Sequence, residues 1–349
     1  MSLILTIVLA LAVTIPLAAR VAPGESAAPI AFAAAAPLAA VLAVALTVVT
    51  AVLAGPLAAI PAVPTVLLAA IQLPRRRPDR RSATPAPPAA GRTVALRVLS
   101  HNVLAGRVRP DVIVAEVERL TPDILAIQEL TPGLADGLAG GPLGGLLPYS
   151  YLEPGPGGRG IGVWSRWPLR AVTSVPGTAR PMPRVTLDPG QPVTVTLVHP
   201  HAPVARWQKS WRADLARLLA SLPEVTGHHL LIGDFNASRD LRPFRRLLAA
   251  GYADSSDIAL HRPWPGLTFP ANLRIPPLMR LDHILVSATG ISVHQTRHLK
   301  VPRTDHLGVF AVMDLPPQPA STATRAGRAD TARLASATDP AADAASATD

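Results

Sequence analysis

Short apolar runs between residues 95 and 313 repeatedly end at, or begin with, a polar residue that is able to do chemistry. An isolated Asp or Asn at such a place usually caps a helix or starts a turn. Here six apolar runs have such a residue at one end. If the six lie along the same edge of a sheet, they indicate a functional site there. The residues are Asn102, Glu129, His199 with His201, Asp234 with Asn236, Asp282, and Asp305 with His306.

The residue types in this set fit two kinds of chemistry. Carboxylates beside an amide are the oxygen ligands that a hard cation such as Mg²⁺ prefers. Histidines beside them suit proton transfer, or hydrogen bonding to charge that develops on an oxygen. The chain has no cysteine, which excludes thiolate metal sites and cysteine nucleophiles.

The elements that would position these residues are visible as β-branched and apolar runs. They predict strands at 95–100, 124–128, 160–165, 193–198, 229–233, 281–286 and 309–313, and apolar periodicity predicts helices at 110–120 and 207–221. Strands mixed with helices indicate one α/β or α+β domain over residues 92–315, with a buried sheet.

The segments that flank this domain differ from it in composition. Apolar stretches at about 3–19, 28–54 and 56–73 predict two or three membrane-spanning helices, with a cleaved signal peptide as the alternative for the first. A basic and Pro/Ala-rich linker follows at 74–91, and its arginines favour a cytoplasmic catalytic domain. Residues 316–349 lack periodicity, which predicts a disordered tail. We therefore expect a multi-pass protein of the cell membrane.

An excess of positive charge favours anionic partners. The 349-residue chain has a formal net charge of +10, and residues 92–315 hold 24 basic and 17 acidic side chains, or +7. Nucleic acid and phospholipid headgroups both fit this excess, and charge alone does not choose between them. The lipid bilayer is the expected partner of the amino-terminal spans, and no obligate protein partner is inferred.

Seven motifs occur in order along the domain: HNVL (101–104), IQEL (127–130), GIGVWSRWPL (160–169), VHPHAP (198–203), GDFNAS (233–238), RLDHILVS (280–287) and TDHLGVF (304–310). Over residues 96–315 this ordered set resembles the DNase I-like endonuclease/exonuclease/phosphatase superfamily. The resemblance implies a four-layer α/β sandwich of two packed mixed β-sheets flanked by helices. It also implies hydrolysis of phosphoester bonds with Mg²⁺ or Mn²⁺.

The resemblance further implies roles for individual residues. Glu129 would bind the metal directly, with Asn102 and Asp305 completing or supporting that site. Asp234 would orient or deprotonate the attacking water, and Asn236 would hold that water or the phosphate in line.

Histidines would supply the remaining polar contacts. His306 would act as an acid/base or donate to the phosphoryl oxygens, with Asp282 fixing its tautomer. Either His199 or His201 would donate to a phosphate oxygen, and His199 is favoured because it follows its strand directly. His283, where many members carry an aromatic residue, would either line the site or simply pack. The Arg or Tyr that contacts phosphate in some members has no clear counterpart, and Arg159 and Arg166 are the nearby candidates.

These expectations favour a membrane-anchored, Mg²⁺-dependent hydrolase of phosphodiester or phosphomonoester bonds that uses in-line attack of an activated water. The alternative is a catalytically inactive, membrane-tethered module that binds phosphate-containing ligands. Loss of Glu129, Asp234, Asn236 or His306 would favour that alternative, and all of them are present.

Overall fold

The computed structural model of the chain describes residues 92–259, 266–287 and 289–317, together with scattered positions between residues 4 and 70. The predicted segments at 3–19, 28–54, 56–73, 74–91 and 316–349 lie outside the described residues, apart from those positions and residues 316 and 317. A search of the described residues finds no helix with the length and apolar character needed to span a bilayer.

The described residues form twelve strands in two six-stranded mixed sheets. In chain order the strands are β1 (Val94–Asn102), β2 (Ile124–Gln128), β3 (Tyr149–Glu153), β4 (Ile161–Ser165), β5 (Arg170–Ser174), β6 (Pro183–Leu187), β7 (Val193–Val198), β8 (His228–Asp234), β9 (Tyr252–Asp254), β10 (Asp282–Ser287), β11 (Ser292–Lys300) and β12 (Leu307–Leu315). The first sheet has the order β11-β12-β1-β2-β4-β3, and the second has the order β5-β6-β7-β8-β10-β9.

The helices of the described region are α1 (Pro110–Leu120), α2 (Pro132–Ala139), α3 (Leu143–Leu146), α4 (Gln208–Ser221), α5 (Arg242–Ala249) and α6 (Ser255–Ile258). In α1 the sequence explains both ends and the packing. Pro110 occupies the first turn, where its fixed φ suits a helix, and the helix ends at Thr121, which has a left-handed φ of +43°. Ile113, Val117 and Leu120 form one buried stripe.

Alternation along each strand sends one set of side chains between the sheets and the other set toward the helices. In β1, Leu96 lies in the core between the sheets, whereas Leu99 packs with Ile113 of α1 in a second core. On the outer side of the second sheet, a third core contains Trp211 of α4 and Phe244 of α5. The layers are therefore helix, sheet, sheet and helix, and the predicted sandwich of two packed mixed sheets flanked by helices is confirmed.

Strand direction brings polar chain ends to one edge of both sheets. β1 and β2 are parallel, with Asn102 paired with Gln128, so their carboxyl ends leave the first sheet together. In the second sheet β7 and β8 are also parallel. Asp234, at the end of β8, is paired with Asp282, at the start of the antiparallel β10.

Candidate active site

Asn102 joins the two sheets at this edge. It is the last residue of β1 and is buried. Its Nδ2 donates to Oδ2 of Asp234, 3.0 Å away in the second sheet, and to Oε1 of Glu129 at 3.3 Å. Its Oδ1 accepts from the backbone N–H of Leu104 at 3.0 Å. One amide therefore fixes the positions of two carboxylates from different sheets.

The backbone around Glu129 is strained. Glu129 directly follows β2 and has a left-handed φ of +64°, and Leu104 and Ala105 have φ values of +47° and +51°. Each such conformation costs about 1–3 kcal/mol in a residue with a side chain, and such residues cluster at functional sites. Two of these strained residues contact each other, because the N–H of Ala105 donates to Oε2 of Glu129 at 2.6 Å.

The Gly-rich run at 155–162 is a turn that closes over Glu129. A Cβ at Gly158 would lie 3.2 Å from the carboxylate of Glu129, and a Cβ at Gly160 would lie 1.8 Å from the carbonyl oxygen of Leu130. The N–H of Gly155 donates to that carbonyl at 3.0 Å, and the carbonyl of Gly160 accepts from the N–H of Leu130 at 3.1 Å. The glycines are therefore required by space at the wall of the site.

His306 lies between carboxylates. Its Nδ1 is 2.8 Å from Oδ2 of Asp282, and its Nε2 is 3.8 Å from Oδ2 of Asp234 and 3.9 Å from Oδ1 of Asp305. Burial by itself lowers the pKa of His306, but Asp282 and Asp234 together raise it to about 10. The ring is therefore a cation at neutral pH, with an N–H on both nitrogens.

Asp234 is buried, and its backbone leads into a tight turn. Burial raises the pKa of Asp234 to about 7, although His306 and the hydrogen bonds from Asn236 and Asn102 oppose that rise. Its Oδ1 accepts from the N–H of Asn236 at 2.7 Å, and Asn236 has a left-handed φ of +47°. Nδ2 of Asn236 donates to the carbonyl of Pro200 at 3.1 Å. A carboxyl group with a pKa near neutrality is suited to accept a proton from water.

The two histidines of the HPHAP sequence have different surroundings. Nε2 of His199 lies 3.8 Å from Oε1 of Glu129 and 3.9 Å from Oδ2 of Asp234. The ring of His201 stacks on Trp207 with centroids 4.4 Å apart, and its Nδ1 lies 3.2 Å from Oγ of Ser210 in α4. The structure brings His199 to the carboxylate cluster and turns His201 toward α4.

Arg180 is a residue of the cluster that sequence reasoning missed. It lies between β5 and β6, where its Nη1 donates to the carbonyl of Gly158 and lies 3.3 Å from Nδ1 of His199. Burial, followed by the charge of Arg180, lowers the pKa of His199 well below its usual range, so the ring is neutral. The same Nη1 also lies 3.5 Å from Nε2 of His199, so the guanidinium sits against both nitrogens of the ring.

Neither His199 nor His306 is in direct hydrogen-bonding contact with Asp234. Nε2 of His199 and Nε2 of His306 lie 3.9 Å and 3.8 Å from the same oxygen of Asp234. These distances are too long for direct hydrogen bonds, but they leave a place for a bridging oxygen. A water or phosphoryl oxygen there would accept a hydrogen bond from either ring.

Two sets of side chains could hold a divalent cation. Ligand atoms of Asp234, Asp282 and His306 all lie within 4.8 Å of one another. His306 is a poor ligand, however, because Asp282 occupies its Nδ1 and the ring keeps its protons. Glu129 and Asp305 are the second set: both offer carboxylate oxygens, and Oδ1 of Asp305 is buried with no hydrogen-bond partner among the described residues.

The two arginines considered for a phosphate contact lie in different places relative to the cluster. Arg166 forms an ion pair with Asp123 at 3.3 Å, and Asp123 precedes β2 whereas Glu129 follows it, so Arg166 lies at the opposite end of that strand. Arg159 is exposed on the Gly-rich turn. Arg180 is instead the guanidinium that meets the buried carboxylate cluster.

His283 packs behind the site. Its Nδ1 lies 2.6 Å from Oδ2 of Asp254, and its Nε2 lies 2.9 Å from the carbonyl of Ala237, the residue after Asn236. Arg280 completes this buried group with an ion pair of 3.2 Å to Asp254. Of the two places considered for His283, the structure gives the one behind the site, where its contact supports the turn that carries Asn236.

Comparisons with known proteins agree with this geometry. The model of the Endonuclease/Exonuclease/phosphatase family matches residues 99–306. No curated protein matches the chain. The human nocturnin catalytic domain, solved with a bound sulfate anion, has a TM-score of 0.52 and 19% identity, and the match covers 64% of this chain and 97% of that chain. An AP endonuclease from Archaeoglobus fulgidus has a TM-score of 0.51 and 17% identity, with 62% and 98% covered. At these identities the two structures support the fold alone.

The family match is broader than any single motif. It begins three residues before Asn102, ends at His306 and takes in well over half of the chain. Proteins of this kind act on phosphoester bonds and generally depend on a divalent metal. The chain belongs to the endonuclease/exonuclease/phosphatase family.

Proposed function

We propose that the chain is a divalent-metal-dependent hydrolase of phosphoester bonds, with Mg²⁺ or Mn²⁺ as the metal. One observation carries the proposal. The amide of Asn102 holds Glu129 of one sheet and Asp234 of the other, and Nε2 of His199 and Nε2 of His306 lie 3.9 Å and 3.8 Å from Oδ2 of Asp234. Acid, base and hydrogen-bond donor thus converge on a space that fits an oxygen of the substrate.

Glu129 and Asp305 would hold the cation, with Asn102 supporting the site. When bound, the cation would polarise a phosphoryl oxygen and help to neutralise charge on the leaving oxygen. Asp234 would accept the proton of the attacking water, and Asn236 would hold that water or the phosphate in line. The N–H of Asn236 already fixes the orientation of Asp234.

Fixed positive charge would stabilise the transition state. His306, held by Asp282 through Nδ1, would donate its Nε2–H to a phosphoryl oxygen, and His199 would donate from its own Nε2. Arg180 would add a guanidinium next to His199. Donors that are already oriented before the reaction cost no reorganisation when negative charge develops on the phosphoryl group.

Hydrolysis is tested by assaying the purified full-length chain with Mg²⁺ on DNA, RNA and phosphoinositide substrates. We expect turnover of at least one class, and its loss in Asp234→Ala. The exposed Asp188 provides the matched control, because Asp188→Ala removes the same group far from the carboxylate cluster. Equal, negligible turnover by the wild type and Asp234→Ala on every substrate would favour a catalytically inactive module that binds phosphate-containing ligands.

We also propose that the amino-terminal apolar stretches anchor the chain in the cell membrane, with the catalytic domain in the cytoplasm. The support is the composition of residues 3–73 and the arginines of the following linker. A reporter enzyme fused after residue 349 tests the orientation. Activity of a reporter that works only outside the cytoplasm would contradict it.

A further inference from the structure

A cavity lined by basic side chains lies beside the catalytic cluster. It encloses about 580 Å³, and Arg107, Lys300 and Arg303 contribute to its lining. All three side chains are exposed, and none is paired with a carboxylate in the part of the chain that the structure describes. The described residues that line the cavity include no acidic side chain.

The wall of the cavity is continuous with the proposed metal site. Leu104, Thr304 and Ala271 all line the cavity. The N–H of Leu104 donates to Oδ1 of Asn102, and Oγ1 of Thr304 donates to the carbonyl of Asn102 at 2.8 Å. The N–H of Ala271 donates to the carbonyl of Asp305 at 2.7 Å. A ligand in the cavity would therefore lie next to the residues proposed to hold the metal.

The two neighbouring sites have opposite charge. Carboxylates dominate the catalytic cluster and suit a cation, whereas the cavity gathers three unbalanced positive charges and suits an anion. Its described lining also lacks an aromatic side chain, so it offers no surface for stacking a base. Recognition there would rest on charge-assisted hydrogen bonds, which phosphate oxygens accept well.

We propose that this cavity binds a second, non-scissile phosphate group of the substrate. This inference depends on the proposed function, because it takes the scissile phosphate to lie in the catalytic cluster. A 5′-phosphorylated dinucleotide and a glycerophosphoinositol phosphate both carry such a second group.

The test uses two full-length variants that lose the same charge. Arg107→Ala/Arg303→Asn removes two cations from the cavity, and Asn suits position 303 because that residue has a left-handed φ of +69°. The control is Arg92→Ala/Arg170→Ala. Arg92 precedes β1, and Arg170 is paired through Thr186 with Thr194 near the start of β7, so both lie at the end of their sheet remote from the site.

Two measurements separate the cavity from the proposed function. Inorganic phosphate is first titrated in EDTA by calorimetry, and we expect the cavity variant to bind it about tenfold more weakly than the wild type and the control. With Mg²⁺, kcat/KM is then compared for a dinucleotide with and without a 5′-phosphate, and for glycerophosphoinositol with and without a ring phosphate. The preference for the second phosphate should fall about tenfold in the cavity variant alone, in the nucleotide pair or the headgroup pair.

The outcomes are distinct. If the wild type binds no phosphate, or the cavity variant binds it as well as the control does, the inference is overturned. If binding is lost in the cavity variant but no substrate is hydrolysed by any protein, the cavity is supported as a phosphate site and the proposed function fails. Thermal melting of the cavity variant beside the control checks that weaker binding does not reflect unfolding, and Lys300→Ala, which removes the cation at the end of β11, should weaken phosphate binding in a protein that melts like the wild type.

Discussion

Nδ1 of His306 lies 2.8 Å from Oδ2 of Asp282, and this contact both orients the ring and keeps it charged. Asp282 is itself the register partner of Asp234, the carboxylate that the opposite side of the ring faces. The pairing of β8 with β10 thus positions both the proposed base, Asp234, and the carboxylate that orients His306.

Asp282→Asn tests the first relationship. The substitution keeps the size of the side chain but removes the charge that raises the pKa of His306, so this pKa should fall from about 10 toward its ordinary value. We expect kcat to decrease by about 10²–10⁴ with little change in KM, as for loss of the orienting carboxylate of a histidine pair. Kinetics and an NMR titration of the ring provide the measurement. Asp314→Asn is the control, because it removes an exposed carboxylate 2.8 Å from His294. An unchanged kcat in Asp282→Asn would contradict the proposed role of His306.

Glu129→Gln tests the metal site. The amide retains the hydrogen-bonding shape but not the charge, so the Mg²⁺ concentration that gives half-maximal activity should rise by about 10- to 100-fold. Glu153→Gln is a matched change at a residue that contacts Tyr151 at the end of β3. The same Mg²⁺ dependence in both variants would show that Glu129 is not a ligand.

Arg180→Met should lower kcat/KM by about 10²-fold, because it removes a preoriented cation next to His199. It should also raise the pKa of His199, since Arg180 contributes to lowering it. Arg180→Lys should recover part of the activity, because the charge returns without the planar fork of donors. Arg119→Met is the control, because Arg119 pairs with Glu116 in the last turn of α1. Equal activity of the two Met variants would exclude a specific role for Arg180.

The stability of the domain should fall in mild acid because of His229. Burial lowers the pKa of His229 to about 3, from 6.5 in an unfolded chain. Between these values the unfolded chain binds a proton that the folded chain does not, so stability falls as the pH falls. The slope from this residue is about 1.4 kcal/mol per pH unit between about pH 6 and 4.

Urea unfolding at several pH values measures that slope. His229→Gln should reduce the slope of the free energy of unfolding against pH by about 1.4 kcal/mol per pH unit, whatever it does to stability at neutral pH. Identical slopes in the wild type and His229→Gln would rule out His229 as the source.

The sequence is sufficient to locate the central strands and the polar residues at their ends. Strands such as β2 and β7 were predictable because they are short, apolar and buried on both faces. The edge strands were missed for the opposite reason. Every residue of β5 is exposed, and β11 is mostly polar, so neither has a pattern that distinguishes it from a loop.

The parts of the candidate site that were not predictable depend on tertiary contacts. Arg180 meets the cluster only because its loop packs on Gly158, which lies 22 residues away along the chain. The pairing of His283 with Asp254 spans 29 residues. Partners that are so far apart along the chain form no local sequence motif. The left-handed φ of Glu129 also could not be predicted, because glutamate rarely adopts it.

The pairing of Val94 with Leu315 has a consequence for how the domain is carried. The chain enters β1 and leaves β12 side by side, and Asn102 lies at the other end of β1, about 26 Å away for a strand of this length. Whatever is joined before residue 94 or after residue 315 is therefore attached on the side remote from the site. Under the proposed membrane anchoring, the site would face away from the bilayer, and a lipid substrate in that bilayer would be reached only after the domain turned over.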